Sequence, residues 1–283
     1  MKQTILIHSE YLSNKFQSKI YLKPEWYGET GSHKDKWAKS AIEILKKENI
    51  TKLVVMSSGN LGLAIAAQAY KNKIKCKVIT FNNISKKYIE LFRKYHAELI
   101  SVNDLKEEEI QFNEAKNDGY FPLSLDITQR EKEDLIGSEG FKETAIEIIN
   151  DLGYSPDKII IPTSFADHAK GILKGFEKAN STNKILTIPE FILVRTNFKE
   201  GFKARSIATD LTMPQVKYVI SKTKGKNIFL NNEEFELGKQ IAKEKLDLDL
   251  ELSSAGAISA LSKLDLKELK DKTIILILTA TNK

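Results

Sequence analysis

From residue 52 onward, short runs of β-branched and apolar residues alternate with segments of helical period, and no other feature constrains the fold as strongly. The pattern predicts a strand over 53–56, an Ala-rich helix over 60–70, a strand over 76–80, a helix over 86–95 and a strand over 99–102. Helical charge spacing then runs over 106–116 and stops at Asn117, Asp118 and Gly119, residues that tolerate a left-handed C-terminus. A second series opens near Ser138, read as the cap of a helix with Phe141, Ala145, Ile148, Ile149 and Leu152 on one face and Gly153 at its end. It continues as a strand over 159–161, a helix over 167–178, a strand over 185–194 split at Pro189, and helices over 233–245 and 254–264. The last strand, 273–278, is apolar on both faces, which excludes a wet sheet edge. The fold class is therefore α/β, with mostly parallel open sheets covered by helices on both faces.

At roughly 150 residues per domain, 283 residues make about two domains with ample core. With 41% hydrophobic and 29% charged residues, and 14 Gly and 6 Pro, the chain is neither collagen-like, coiled-coil nor disordered. The longest apolar run, near 274–278, falls far short of the roughly 20 residues of a membrane span, and the N-terminus shows no apolar signal core, so no membrane and a cytoplasmic location are expected. A single cysteine, Cys76, forbids an intrachain disulfide, suits a reducing compartment and reads as strand packing. His8, His33, His96 and His168 are too scattered for a local metal motif, so no metal is expected. The net charge of +6 is dispersed; Lys71, Lys73, Lys75 and Lys77 alternate with other residues as a half-exposed strand edge would, and nucleic acid is not expected as a partner.

Three segments hold residues that strands and helices do not need. In 30–35, small polar residues precede Lys34, and Trp37, Ala38, Ala41, Ile42 and Leu45 supply a buried helix face behind it. Lys34 thus falls in a first turn, where a cation opposes the helix dipole unless the amine is neutral or bonded. Schiff-base chemistry asks for an amine of that kind. In 57–60, Ser57-Ser58-Gly59-Asn60 marks a strand-to-helix turn, where open α/β sheets bind ligands and where amides and hydroxyls suit a carboxylate. Read alone, each segment is also compatible with a surface lysine or an ordinary capped turn. The third, 162–171, runs from the strand predicted over 159–161 into the helix predicted over 167–178.

Lys23-Pro24-Glu25 followed by Thr30-Gly31-Ser32-His33-Lys34-Asp35 resembles the K-x-E…T-G-S-x-K-D pattern of the fold-type II pyridoxal-phosphate enzymes, the superfamily of the tryptophan synthase β chain. Ser57-Ser58-Gly59-Asn60 is similar to the S-S-G-N of that family. Residues 139–148 resemble the threonine synthase branch's E-G-x-K-T-x-x-x-E-I with one residue inserted, and Ser206-Ile207-Ala208, Asn232-Glu233-Glu234 and Glu251-Leu252-Ser253-Ser254-Ala255 resemble its T-I-A, D-E-E and E-P-S-S-A. The likeness runs from about residue 20 to the C-terminus. It implies a two-domain fold with a smaller mobile domain over 40–130 and a larger cofactor-binding domain made of 1–39 plus 131–283, a homodimer, and pyridoxal 5'-phosphate as cofactor.

By the same resemblance Lys34 carries the cofactor, Asn60 bonds its ring oxygen, and Ser57, Ser58, Gly59 and Asn60 hold the substrate carboxylate. Thr279 partners the pyridine nitrogen; a neutral partner there suits elimination and replacement better than transamination. Ser58 is a second acid/base. Thr163, Ser164, Phe165, Ala166, Asp167 and His168 stand where the family has a glycine-rich phosphate loop; the glycines are gone, and Asp167 sets an anion near an anion. The hydroxyls of Thr163 and Ser164, His168 and the helix start supply donors instead. The implied activity is a lyase or synthase of the threonine synthase kind, acting by β- or γ-elimination or replacement on an amino acid. A degenerate paralogue that binds a small anion or a partner is the alternative. A phosphorylated substrate would need a second anion site, for which Lys36, Arg195, Lys203 and Arg205 are the basic residues near the right segments.

Overall fold

The computed structural model describes residues 4–57, 59–123, 136–196, 201, 203–207 and 214–282. In chain order the elements begin with β1 (Ile7–His8), α1 (Glu10–Phe16), β2 (Lys19–Pro24), α2 (Lys34–Lys47), β3 (Lys52–Met56) and α3 (Asn60–Lys71). Next come β4 (Lys75–Phe81), α4 (Lys86–Lys94), β5 (Glu98–Val102), α5 (Leu105–Asn117) and β6 (Phe121–Pro122). A 3₁₀ turn at Ile136–Phe141 leads to α6 (Lys142–Leu152), β7 (Lys158–Pro162), α7 (Asp167–Ser181) and β8 (Glu190–Arg195). The chain closes with α8 (Pro214–Thr223), β9 (Lys226–Phe229), α9 (Asn232–Leu246), α10 (Leu252–Ala260), α11 (Leu266–Leu269) and β10 (Thr273–Leu278). Two compact units result, one of Met1–Tyr27 with Phe141–Lys283, the other of Gly28–Gly140. Both are α/β, with mostly parallel sheets and helices on both faces.

The first unit holds a six-stranded sheet in the order β1-β2-β10-β7-β8-β9. Every pairing is parallel except that of β1 with β2. All six residues of β10 are buried, and it runs between β2 and β7, as a strand apolar on both faces must. Each Leu or Ile withdrawn from water in this way stabilises the fold by on the order of 2 kcal/mol. Helix α10 is buried on every side from Ser253 to Ala260, and its small residues let α9 come so close that a side chain at Gly238 would meet Ala255 O at 2.6 Å.

Three boundaries differ from the sequence reading by more than three residues. The helix near Ser138 starts at Lys142, and Ser138 lies within the 3₁₀ turn rather than capping it. The strand drawn over 185–194 occupies only Glu190–Arg195, because Pro189 has no N–H to give a ladder. The helix drawn over 254–264 passes into a 3₁₀ turn at Leu261–Lys263.

The second unit holds a parallel sheet in the order β5-β4-β3-β6. Strand β4 is interior, so the reading of Lys75 and Lys77 as a strand edge is corrected. The Lys77 ammonium is accommodated by the Tyr120 ring, 4.3 Å away, and by Glu98 and Asp118 at 3.6 and 3.7 Å. The unit, Gly28–Gly140, takes in all of α2 and the 3₁₀ turn up to Gly140, beside the 40–130 span drawn from the sequence. Gly137 and Gly140 of the 3₁₀ turn lie against α2 so closely that a side chain would meet the Trp37 ring at 2.1 Å and Lys36 O at 2.2 Å. Helix α3 is buried from Gly62 to Ala69, its alanines packing where larger residues would not fit.

Helix starts follow local capping rules. Ser9, Ser85, Asp104 and Asn231 cap α1, α4, α5 and α9 through their side chains, and Glu234 completes a capping box at Asn231. Among the described residues, no helix is long and apolar enough to cross a membrane.

Candidate active site

The candidate residues fall on both units, and each unit carries its own constellation. In the second unit Lys34 opens α2 with a half-buried side chain, as the sequence places it. The loop ahead of it is gathered around one carboxylate. Asp35 Oδ2 accepts the backbone N–H groups of Thr30, Gly31 and Ser32 at 3.0, 3.1 and 3.4 Å, and Oδ1 accepts the Thr30 hydroxyl at 2.8 Å. Three successive amides converging on an anion form a nest, and the anion at the helix start also favours the dipole. Gly28 leaves room for this carboxylate: a side chain there would lie 2.4 Å from Asp35 Oδ2. The Ser32 hydroxyl, two residues before Lys34, is buried and has no hydrogen-bond partner among the described residues.

At the β3–α3 turn, Ser57 rather than Gly59 closes the helix. Ser57 Oγ accepts the N–H of Gly62 at 2.9 Å and that of Gly59 at 3.4 Å, while its own N–H is given to Ile79 O at 3.0 Å. A hydroxyl has two acceptor sites and one proton, so with Oγ accepting from Gly62 and Gly59 its further capacity is as a donor. Gly62 must be glycine, since a side chain would meet Ser57 Cβ at 2.8 Å. Asn60 begins α3, and its Oδ1 accepts from the Tyr88 hydroxyl at 2.8 Å. Ser58 lies outside the described residues.

In the first unit, Thr163 follows β7 and Thr279 follows β10, each three residues past the paired Ile160 and Leu276. Both are buried. The N–H groups of Thr279 and Ala280 go to Ser254 Oγ at 2.9 and 3.5 Å, which fixes the backbone at Thr279. Between β7 and α7, Thr163 Oγ1 accepts the Ala166 N–H at 3.1 Å, and Ala166 takes a left-handed conformation at φ 63. Glycine would hold that conformation without strain. Ser164 and Phe165 are half-buried, Asp167 is the first residue of α7, and the buried His168 ring packs on Phe141 with centroids 4.3 Å apart. Helix α7 begins without a side-chain cap, unlike α1, α4, α5 and α9.

Other motif residues serve the framework. Lys23 is fully buried, pairs with Glu147 at 2.8 Å and donates to Thr4 O. Glu25 accepts from Thr144 at 3.0 Å and from Thr4 at 3.3 Å. The 23–25 and 139–148 motifs thus meet in one buried network, where each charge needs the other's partners. Of the second-anion candidates, Lys36 is buried in the first turn of α2, and Lys203 is exposed and paired with Glu236 at 3.0 Å. Arg195 is buried at the end of β8, and burial lowers its guanidinium pKa. Sequence reading quotes Asp35 and Ser254 within motifs without giving either a role, and it misses Tyr88, which no local signal marks.

Taken unit by unit, the second offers an amine at Lys34 and an amide at Asn60, donor types that suit an aldehyde and a ring oxygen, and the first offers a buried hydroxyl at Thr279 and a helix start without a side-chain cap, which suit a ring nitrogen and an anionic tail; Asp167 and the loss of the loop glycines make the last the poorest match.

Comparison with solved structures gives a TM-score of 0.84 to a serine racemase from Dictyostelium discoideum, at 19% identity and covering 99% of this chain and 93% of that one. A threonine deaminase from Solanum lycopersicum gives 0.82, at 15% identity, covering 99% and 84%. Both identify the fold. Among curated proteins, a threonine synthase of Halalkalibacterium halodurans is 30% identical over 186 residues, 62% of this chain and 48% of that protein. A threonine synthase of Methanocaldococcus jannaschii is 24% identical over 280 residues, 87% of this chain and 65% of that protein. The match thus spans about half the length of the first of these and about two thirds of the second. The pyridoxal-phosphate dependent enzyme family matches residues 1–280, so the chain belongs to that family and its cofactor is pyridoxal 5'-phosphate.

Proposed function

We infer that the chain is a lyase or synthase that eliminates or replaces a group at the β or γ carbon of a small amino acid, in the manner of a threonine synthase. The observation that carries this reading is Lys34 at the start of α2, behind a loop held by Asp35, in a chain with threonine synthases among its relatives. The cofactor supplies an electron sink that weakens bonds at the substrate's α carbon. Lys34 Nζ would hold the cofactor, and the same amine would take the α proton as general base. The Ser57 proton, its oxygen already engaged by Gly62 and Gly59, donates to the substrate carboxylate. Asn60 bonds the ring oxygen, and the Thr279 hydroxyl, on a backbone fixed by Ser254, partners the ring nitrogen. Thr163, Ser164 and the start of α7 hold the phosphate, with Phe165, Ala166, Asp167 and His168 completing that loop. Ser58 is the second acid/base. A homodimer and a cytoplasmic location belong to the same reading.

The test is absorbance at roughly 410–420 nm after dialysis with pyridoxal phosphate, in wild type and Lys34→Ala, followed by a screen of amino acids for spectral shifts and released products. A band in wild type that is absent from the variant is expected. No band at saturating cofactor overturns the reading and leaves the non-catalytic binding alternative, which the glycine-free loop at Ala166 favours.

A further inference from the structure

The Asn60 amide has a fixed neighbour on a different helix. Tyr88 lies in the first turn of α4, where Ser85 Oγ caps the helix by accepting the Tyr88 N–H at 3.4 Å. Its ring leans on the fully buried Phe92, with centroids 6.3 Å apart, and its hydroxyl donates to Asn60 Oδ1 at 2.8 Å. An asparagine amide has one acceptor end and one donor end, and a ring oxygen of the cofactor, which is an acceptor, is served only by the donor end. A phenol donating to Oδ1 fixes which end of the amide is the acceptor and so sets Nδ2, the end such an acceptor needs, on the opposite side. It also polarises the amide and strengthens its N–H as a donor.

We propose that Tyr88 is a positioning residue for the cofactor: through Asn60 Oδ1 it selects the amide orientation that presents Nδ2 to the ring oxygen. The inference rests on the reading above, that Asn60 bonds that oxygen. It adds a residue from the next β/α unit, 28 positions along the chain, that no local motif connects to the site.

Pyridoxal phosphate affinity and the pH titration of the visible band are measured for wild type, Asn60→Ala, Tyr88→Phe and the double variant, with melting of each unloaded protein as a control. Tyr88→Phe is expected to weaken cofactor binding about threefold to tenfold, the loss of one hydrogen bond. The titration midpoint is expected to move to higher pH by roughly half a unit or more, because a ring oxygen deprived of its donor holds a neighbouring proton more tightly. Tyr88→Phe should add nothing once Asn60 is alanine, since Tyr88 acts through it. Tyr88→Met, apolar and of similar length, replaces Tyr88→Phe if that variant does not fold. A Tyr88 variant with wild-type affinity and titration, or additive effects in the double variant, overturns the proposal. If Asn60→Ala matches wild type, or wild type shows no band, the Asn60 reading fails and the proposal with it. If Asn60→Ala is altered and Tyr88→Phe is not, the reading survives and the Tyr88 proposal alone is lost.

Discussion

Asp35 and Thr30 form a closed unit in which one carboxylate accepts both the backbone N–H and the hydroxyl of the same residue, at 3.0 and 2.8 Å. Gly31 and Ser32 add their amides to it, so the stretch leading into Lys34 is organised from behind by the residue that follows Lys34. Asp35→Asn keeps the shape but turns an amide N–H₂ toward these donors. The expected result is a loss of about 2 kcal/mol in urea unfolding, the scale of a charged hydrogen-bond cluster losing its acceptor. Cofactor loading, read by the visible band, should fall as well. Unchanged unfolding would show that the nest does not hold the loop.

Ser57 Oγ closes α3 by accepting the Gly62 N–H at 2.9 Å, and in the proposed function its proton goes to the substrate carboxylate. Ser57→Ala is expected to cost about 1 kcal/mol as a lost cap. It should also raise KM for the amino-acid substrate several-fold while kcat changes little, since carboxylate binding is shared by the ground and transition states. A fall in kcat with KM unchanged would assign Ser57 a different part.

At Ala166 a Cβ sits in the left-handed region at φ 63. Ala166→Gly relieves that conformation, and the gain exceeds the added chain entropy because the alanine pays a steric penalty of roughly 1–2 kcal/mol there. Calorimetry should show a melting temperature higher by about 2 °C. A lower melting temperature would mean that the alanine methyl contributes packing worth more than the strain.

Burial pushes the Cys76 thiol from its ordinary 9.0 up to about 12. Between those values the unfolded chain has lost a proton that the folded chain keeps, so stability falls as pH rises from about 9 and levels off above about 12. Below about 9 both forms are protonated and the group adds no pH dependence. The folded protein should therefore resist iodoacetamide at pH 8 and react only when denaturant opens the second unit. Rapid labelling of the native protein would contradict this burial.

The α/β class, the closing strand and most helix starts were legible in the sequence because their causes are local. Six apolar residues at 273–278 belong in a sheet interior whichever strands flank them, and Ser85, Asp104 and Asn231 cap the helices that begin one residue later. Lys34 at a helix start was legible for the same reason. Pro189 was seen as a break, yet not as the point before which no strand forms. The lysines at 75 and 77 were misjudged because their alternation shows which way side chains point and not which strands lie on either side.

What only the tertiary structure decided are the partnerships between distant residues. Tyr88 with Asn60, Thr4 with Glu147, Ser254 with Thr279 and Gly137 with Trp37 are each joined by packing across elements, and no spacing rule links them. Periodicity and caps act within a few residues, so the sequence by itself determined the helix behind Lys34, most elements from 52 to 194, α9, α10 and the closing strand, while α1, β2, α8, β9 and α11 were not read from it. Which element ends meet depends on strand order and helix packing, where burial of apolar faces, summed over the whole chain, outweighs any local preference.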